Sequence, residues 1–249
     1  MADHAELAPP GHIGIAGFSY GVGPVLLAAL QPDIRDRVRF VLAVGGYYSL
    51  ENVVFFLTTG YYHVDEPAGT AALESSRLSP HPYSEATFIR SNLDLLERPV
   101  DRGFFRDYAT YITDSSIDED EPVPVYLAPD AQAFYDLLIN SFPAQVPVLL
   151  NKLPPRMRTE LEGINPAAQD LSQLQADVIL LHGHGDNFIP YSESVALANA
   201  LPESQVQLFL IDGLAHVDFR PKAHDVPQLL CVMEALLAQR MPQQVQDRL

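Results

Sequence analysis

Three short segments of this chain hold residue types that can do covalent chemistry together. In Gly17-Phe18-Ser19-Tyr20-Gly21 a serine stands midway between two glycines. That G-x-S-x-G spacing suits a nucleophile on a sharp strand-to-helix turn. Gly17 and Gly21 are expected to keep side chains out of the turn. The helix that follows would aim its N-terminus at Ser19, which favours negative charge developing there. The backbone N–H of Tyr20 is then the expected oxyanion donor. A serine hydroxyl is a weak nucleophile until a base takes its proton, and the base needs a group to orient it. Asp186, in Leu181-His182-Gly183-His184-Gly185-Asp186-Asn187-Phe188-Ile189-Pro190, and His216, in Gly213-Leu214-Ala215-His216, supply those types. The order Ser19, Asp186, His216 is one of the few in which such triads occur.

Each residue has a plainer reading as well. Asp186 alone could be a turn residue, and His216 alone a capping or surface histidine. His182 and His184, two apart, would point the same way in a strand and could hold a metal with Asp186. Gly183 and Gly185 interrupt that strand, however, and no further ligands cluster nearby in the sequence. The expectation is a triad that needs neither metal nor cofactor.

These residues need a scaffold that brings all three to one edge. Short apolar runs at 12–16, 38–44, 177–182 and 205–211 each end at glycine or a turn. Such runs fit strands of a parallel sheet covered on both faces. Ser19, Asp186 and His216 each lie just beyond a run, where functional groups of open parallel sheets gather. Helical patterns at 22–30, 192–200 and 226–241 alternate with the strands, which indicates an α/β architecture. Pro24 falls in the first turn of its helix, where a missing N–H does no harm. From 61 to 174 the alternation stops. Helical patterns at 84–96, 99–110, 131–141 and 147–153 follow one another with no strand expected among them. The chain thus divides into a core at 1–60, an inserted helical cap at 61–174 and a second core segment at 175–249. The acidic patch Asp118-Glu119-Asp120-Glu121 lacks the glycine of a calcium loop and reads as solvated.

The blocks at 12–30, 182–190 and 213–216 resemble the α/β-hydrolase superfamily. The resemblance implies a mostly parallel α/β-hydrolase sheet with Ser19 as nucleophile, Asp186 as acid and His216 as base. It also implies hydrolysis of an ester or related acyl bond through an acyl-enzyme. Tyr47, Tyr48, Phe55, Phe56, Tyr61 and Tyr62 could shape an acyl pocket or simply pack a core. Family members place about four strands before the nucleophile strand, and only about twelve residues precede it here. The loop that supplies a second oxyanion donor has no counterpart, a loss worth about 100- to 1,000-fold in rate. The sheet is therefore expected to be partial, and the strand at 12–16 to be an edge through which copies self-associate. A non-catalytic interaction module of the same fold is the alternative.

Composition narrows the partners. The 15 basic and 32 acidic residues give a formal charge of −17. An acidic surface of this kind repels phosphate backbones and anionic lipids, so a small-molecule acyl substrate is expected rather than nucleic acid. No apolar run is long enough to span a bilayer. Residues 1–10 carry Asp3, His4 and Glu6 where a signal peptide would be basic and then apolar, so a cytoplasmic location is expected. Cys231, the only cysteine, is expected to be a small buried hydrophobe.

Overall fold

The computed structural model describes residues 13–64, 74–114, 122, 126–216 and 218–239. The chain forms two units, residues 1–49 with 164–249, and residues 50–163.

The first unit opens with β1 (Ile13–Phe18), α1 (Val22–Ala29) and β2 (Val38–Val44). The apolar run at 12–16 therefore continues two residues further than its composition suggests, up to the residue before Ser19. Strands β1 and β2 pair in parallel, with Gly17 opposite Ala43 and Phe18 opposite Val44. The register shifts between Ile13 and Gly14, where the Phe40 ring occupies the space a side chain at Gly14 would need.

The second unit runs from α2 (Leu50–Thr59) through an antiparallel pair, β3 (Tyr61–Val64) and β4 (Glu74–Arg77). Helices α3 (Pro82–Asn92), α4 (Pro99–Tyr111), α5 (Pro129–Leu138), α6 (Val146–Lys152) and α7 (Pro155–Gly163) follow. All five begin with proline at or beside the first helical position, where the absent N–H costs nothing. Phe134 of α5 packs against Phe88 of α3 and Phe105 of α4, with ring centroids 5.7 and 5.0 Å apart. Arg98 closes the start of α4 through a two-pronged pair with buried Asp101.

The remaining elements complete the first unit: β5 (Asp177–Gly183), α8 (Ser192–Asn199), β6 (Val206–Ile211), the short pair β7 (Leu214–Ala215) and β8 (Asp218–Phe219), and α9 (Val226–Ala238). The main sheet is four-stranded and parallel, ordered β1-β2-β5-β6. Val41, Ala43, Val178 and Leu180 pack with Leu26 of α1 and Leu197 of α8. Ile179 and Phe209 pack with Val232 and Ala235 of α9. This is an α/β fold with helices on both faces of the sheet.

Four expectations change. The insertion is not wholly helical, because β3 and β4 pair by backbone bonds that the polar Glu74-Ser75-Ser76-Arg77 run does not announce. Its boundaries also move. Helix α2, assigned to the core from sequence, packs with β3 and α6, whereas Leu171 and Leu174 join the core of the sheet. Cys231 is exposed rather than buried. Only the Val232 and Ala235 side of α9 meets the sheet, and Val226, Leu230, Met233 and Leu237 on the same helix stay about half exposed. Gly21 departs too: a side chain there would meet nothing within 4 Å, so the turn excludes a Cβ at Gly17 only. Among the described residues, no helix is long and apolar enough to cross a membrane.

Candidate active site

The nucleophile candidate sits where β1 ends. Ser19 begins a single 3-10 turn, Ser19–Gly21, that runs straight into α1. Its φ is +53°, in the left-handed region that L-residues avoid. A Cβ at Gly17 would lie 2.8 Å from the Cα of Val22, so glycine is what lets the strand and helix approach so closely. The one other non-glycine residue with positive φ among those described is His216, at +56°. Such backbone costs of order 1–3 kcal/mol per residue and persists only where the surroundings enforce it. Both strained residues are ones that sequence spacing singles out for chemistry.

Asp186 and His216 meet in the structure. The Nδ1 of His216 is 3.0 Å from Oδ2 of Asp186, and both side chains are buried. A carboxylate only accepts, so Nδ1 carries the proton and Nε2 is left as a base. The ring of Phe188 stacks on the imidazole at 4.2 Å, nearly parallel. Gly183 makes this meeting sterically feasible. A side chain there would run into the Leu214 carbonyl, so its absence lets the loop carrying His216 cross the end of β5.

Asp186 is held as an anion by four donors. Its Oδ1 accepts from the amides of Phe188 and Ile189, at 2.8 and 3.1 Å. Its Oδ2 faces His216 and, at 3.4 Å, Nε2 of His182. Burial by itself raises the carboxyl pKa, but the bonds from His182 and His216 outweigh it and bring the value down to about 2.

Gly45 lies beside this pair. It follows Val44, the register partner of Phe18, so it occupies the same sheet edge as Ser19. Its φ is +58°, and a Cβ there would come within 3.4 Å of Oδ2 of Asp186. Ser19, Gly45, Asp186 and His216 thus share the C-terminal edge of the parallel sheet. The Ser19 hydroxyl is not hydrogen-bonded to any described residue. Catalytic hydrogen bonds are commonly long in ligand-free sites and tighten with substrate.

The histidine pair at 182 and 184 does not converge. His182 is fully buried, donates from Nε2 to the Ile189 carbonyl at 3.0 Å and accepts from the Ser194 hydroxyl at 2.7 Å. It braces the Asp186 turn, a role that its spacing alone does not suggest. His184, beyond the end of the strand, turns instead to Asp212, at 2.9 Å.

Of the aromatic residues considered for a pocket, Tyr47 is buried and donates its hydroxyl to the Ile164 carbonyl at 2.8 Å. Gly23 leaves the room that this hydroxyl fills. Tyr48 packs against the sheet core. In the other unit Phe56 meets Tyr62 edge-on, and Phe55 stacks on His63.

The structural neighbours of this fold are α/β-hydrolases. One is a meta-cleavage product hydrolase from Pseudomonas fluorescens, 17% identical, with 92% of this chain and 66% of that one covered and a TM-score of 0.37. A second is the 2-hydroxy-6-oxo-6-phenylhexa-2,4-dienoate hydrolase from a Rhodococcus species, 16% identical, covering 89% and 63% at a TM-score of 0.33. A third is a thermophilic esterase from Thermogutta terrifontis, 15% identical, covering 95% and 68% at a TM-score of 0.41. The chain spans about two thirds of the length of these structures. Comparison with protein-family profiles finds no match. Comparison with curated protein sequences finds none either.

Proposed function

We propose that this chain is an α/β-hydrolase that cleaves an ester or related acyl bond through Ser19, His216 and Asp186. The observation that carries the reading is the buried Asp186–His216 pair, whose hydrogen bond leaves Nε2 of His216 basic. Left-handed backbone at both Ser19 and His216 supports it. In the proposed reaction the Ser19 oxygen bonds to the acyl carbon and its proton passes to Nε2 of His216. The carbonyl oxygen becomes an oxyanion facing the Tyr20 amide and the start of α1. Collapse breaks the bond to the leaving alcohol, which takes the proton from His216. Water, deprotonated by the same nitrogen, then attacks the acyl carbon; the bond to Ser19 breaks, the proton passes from His216 to the Ser19 oxygen, and the acid is freed. Asp186 stays ionised throughout and stabilises the charged imidazole. The substrate is a small acyl ester, with no metal or cofactor in any step.

The test is steady-state hydrolysis of a short activated ester by the wild-type chain and Ser19→Ala. The expected result is turnover that falls by about 1,000-fold or more in the variant. Equal rates in the two proteins would leave the non-catalytic module as the better reading.

A further inference from the structure

At the foot of the loop that carries His216, the fold gathers four groups from three places in the sequence. Asp212 directly follows β6, His224 and Asp225 precede α9, and His184 follows β5. The Nε2 of His224 is 2.9 Å from Oδ2 of Asp212 and 3.8 Å from Oδ1 of Asp225. One donor atom from each of Asp212, His224 and Asp225 lies within 4.8 Å of both others. Two donors each about 2.1 Å from an ion stand about 3.0 Å apart at a right angle and about 3.4 Å apart at the tetrahedral angle. The two separations from His224, 2.9 and 3.8 Å, bracket those values.

We propose that Asp212, His224 and Asp225 bind a divalent transition ion of zinc's class, with His184 holding Asp212 from outside. One imidazole and two carboxylates suit such an ion and neutralise its charge. Two of the three ligands are fixed before the ion arrives. Asp225 is buried and accepts from the amides of Asp212 and Lys222, both at 2.8 Å. His184 contacts the opposite oxygen, Oδ1, of Asp212 at 2.9 Å, and its own ring rests edge-on against Tyr191. That is the outer support which orients ligand carboxylates in metal sites. His224 is more than half exposed, which gives an ion a path in and leaves positions for water. Bound there, the ion would pin residue 212 to residues 224 and 225. It would close the loop carrying His216 without touching the reacting atoms.

The experiment is calorimetric titration of the full chain with zinc chloride after dialysis against a chelator. One equivalent should bind and raise the melting temperature. His224→Gln and Asp212→Asn should each weaken binding at least tenfold, and His184→Ala by about tenfold. Circular dichroism of His224→Gln checks that the fold is intact, and the exposed position makes that variant the decisive one. His81→Gln, at a half-buried histidine outside the cluster, should bind as the wild type does. No binding would overturn the proposal, as would equal binding by wild type and a folded His224→Gln. So would magnesium or calcium binding more tightly than zinc.

Discussion

Burial alone would push the Asp186 carboxyl up, yet His182 and His216 bring it to about 2. The folded carboxyl is more acidic than the ordinary carboxylate of the unfolded chain, so ionisation favours the folded state. That stabilisation is present above about pH 4 and is lost as the pH falls towards 2. Lowering the carboxyl from its ordinary value to about 2 corresponds to about 2 kcal/mol. Urea unfolding between pH 5 and pH 2 should show wild type losing about 2 kcal/mol more than Asp186→Asn loses over the same range. Equal acid sensitivity in the two proteins would show that Asp186 is not held as an anion. The same hydrogen bonds that set this value also fix the tautomer of His216, so stability and chemistry are coupled at this one side chain.

The turn between β1 and α1 separates what a motif needs from what it merely contains. At Gly17 a Cβ would press on the backbone of Val22, which moves only if α1 moves. Gly17→Ala should cost about 1–3 kcal/mol. Gly21 has φ of −70° and open space around its Cα, so Gly21→Ala should be neutral or stabilising by about 0.5–1 kcal/mol. Melting temperatures of the two variants check this, and similar losses in both would contradict it. The four parallel strands were legible because burial on both faces writes them as apolar runs such as 38–44 and 177–183. The strand-end positions of Ser19, Asp186 and His216 were legible because each follows such a run. The β3–β4 pair was not, since its stability lies in backbone bonds and Glu74-Ser75-Ser76-Arg77 carries no apolar alternation. The exposure of Cys231 was hidden because α9 is apolar nearly all round and only packing selects its inner face. The bracing of Asp186 by His182, and the meeting of His184 with Asp212, depend on how the strand-end loops fold back. Local sequence does not encode that.

At the scale of the whole molecule, a charge of −17 opposes association while the sheet invites it. Strand β1 pairs only with β2 among the described residues, and Phe18 at its end is 55% exposed. We propose that β1 pairs with the same strand of a second copy, as open apolar edges do. Light scattering should then give a mass above 27.5 kDa that rises with salt, because screening weakens the charge repulsion. A monomer at every ionic strength would contradict the pairing. Covalent capture tests whether Ser19 is the nucleophile. The chain should be treated with a fluorophosphonate and its intact and peptide masses measured. One adduct per chain is expected, located on Ser19, absent in Ser19→Ala and formed far more slowly in His216→Ala. A wild-type chain that stays unlabelled, or carries the adduct on another residue, would contradict it.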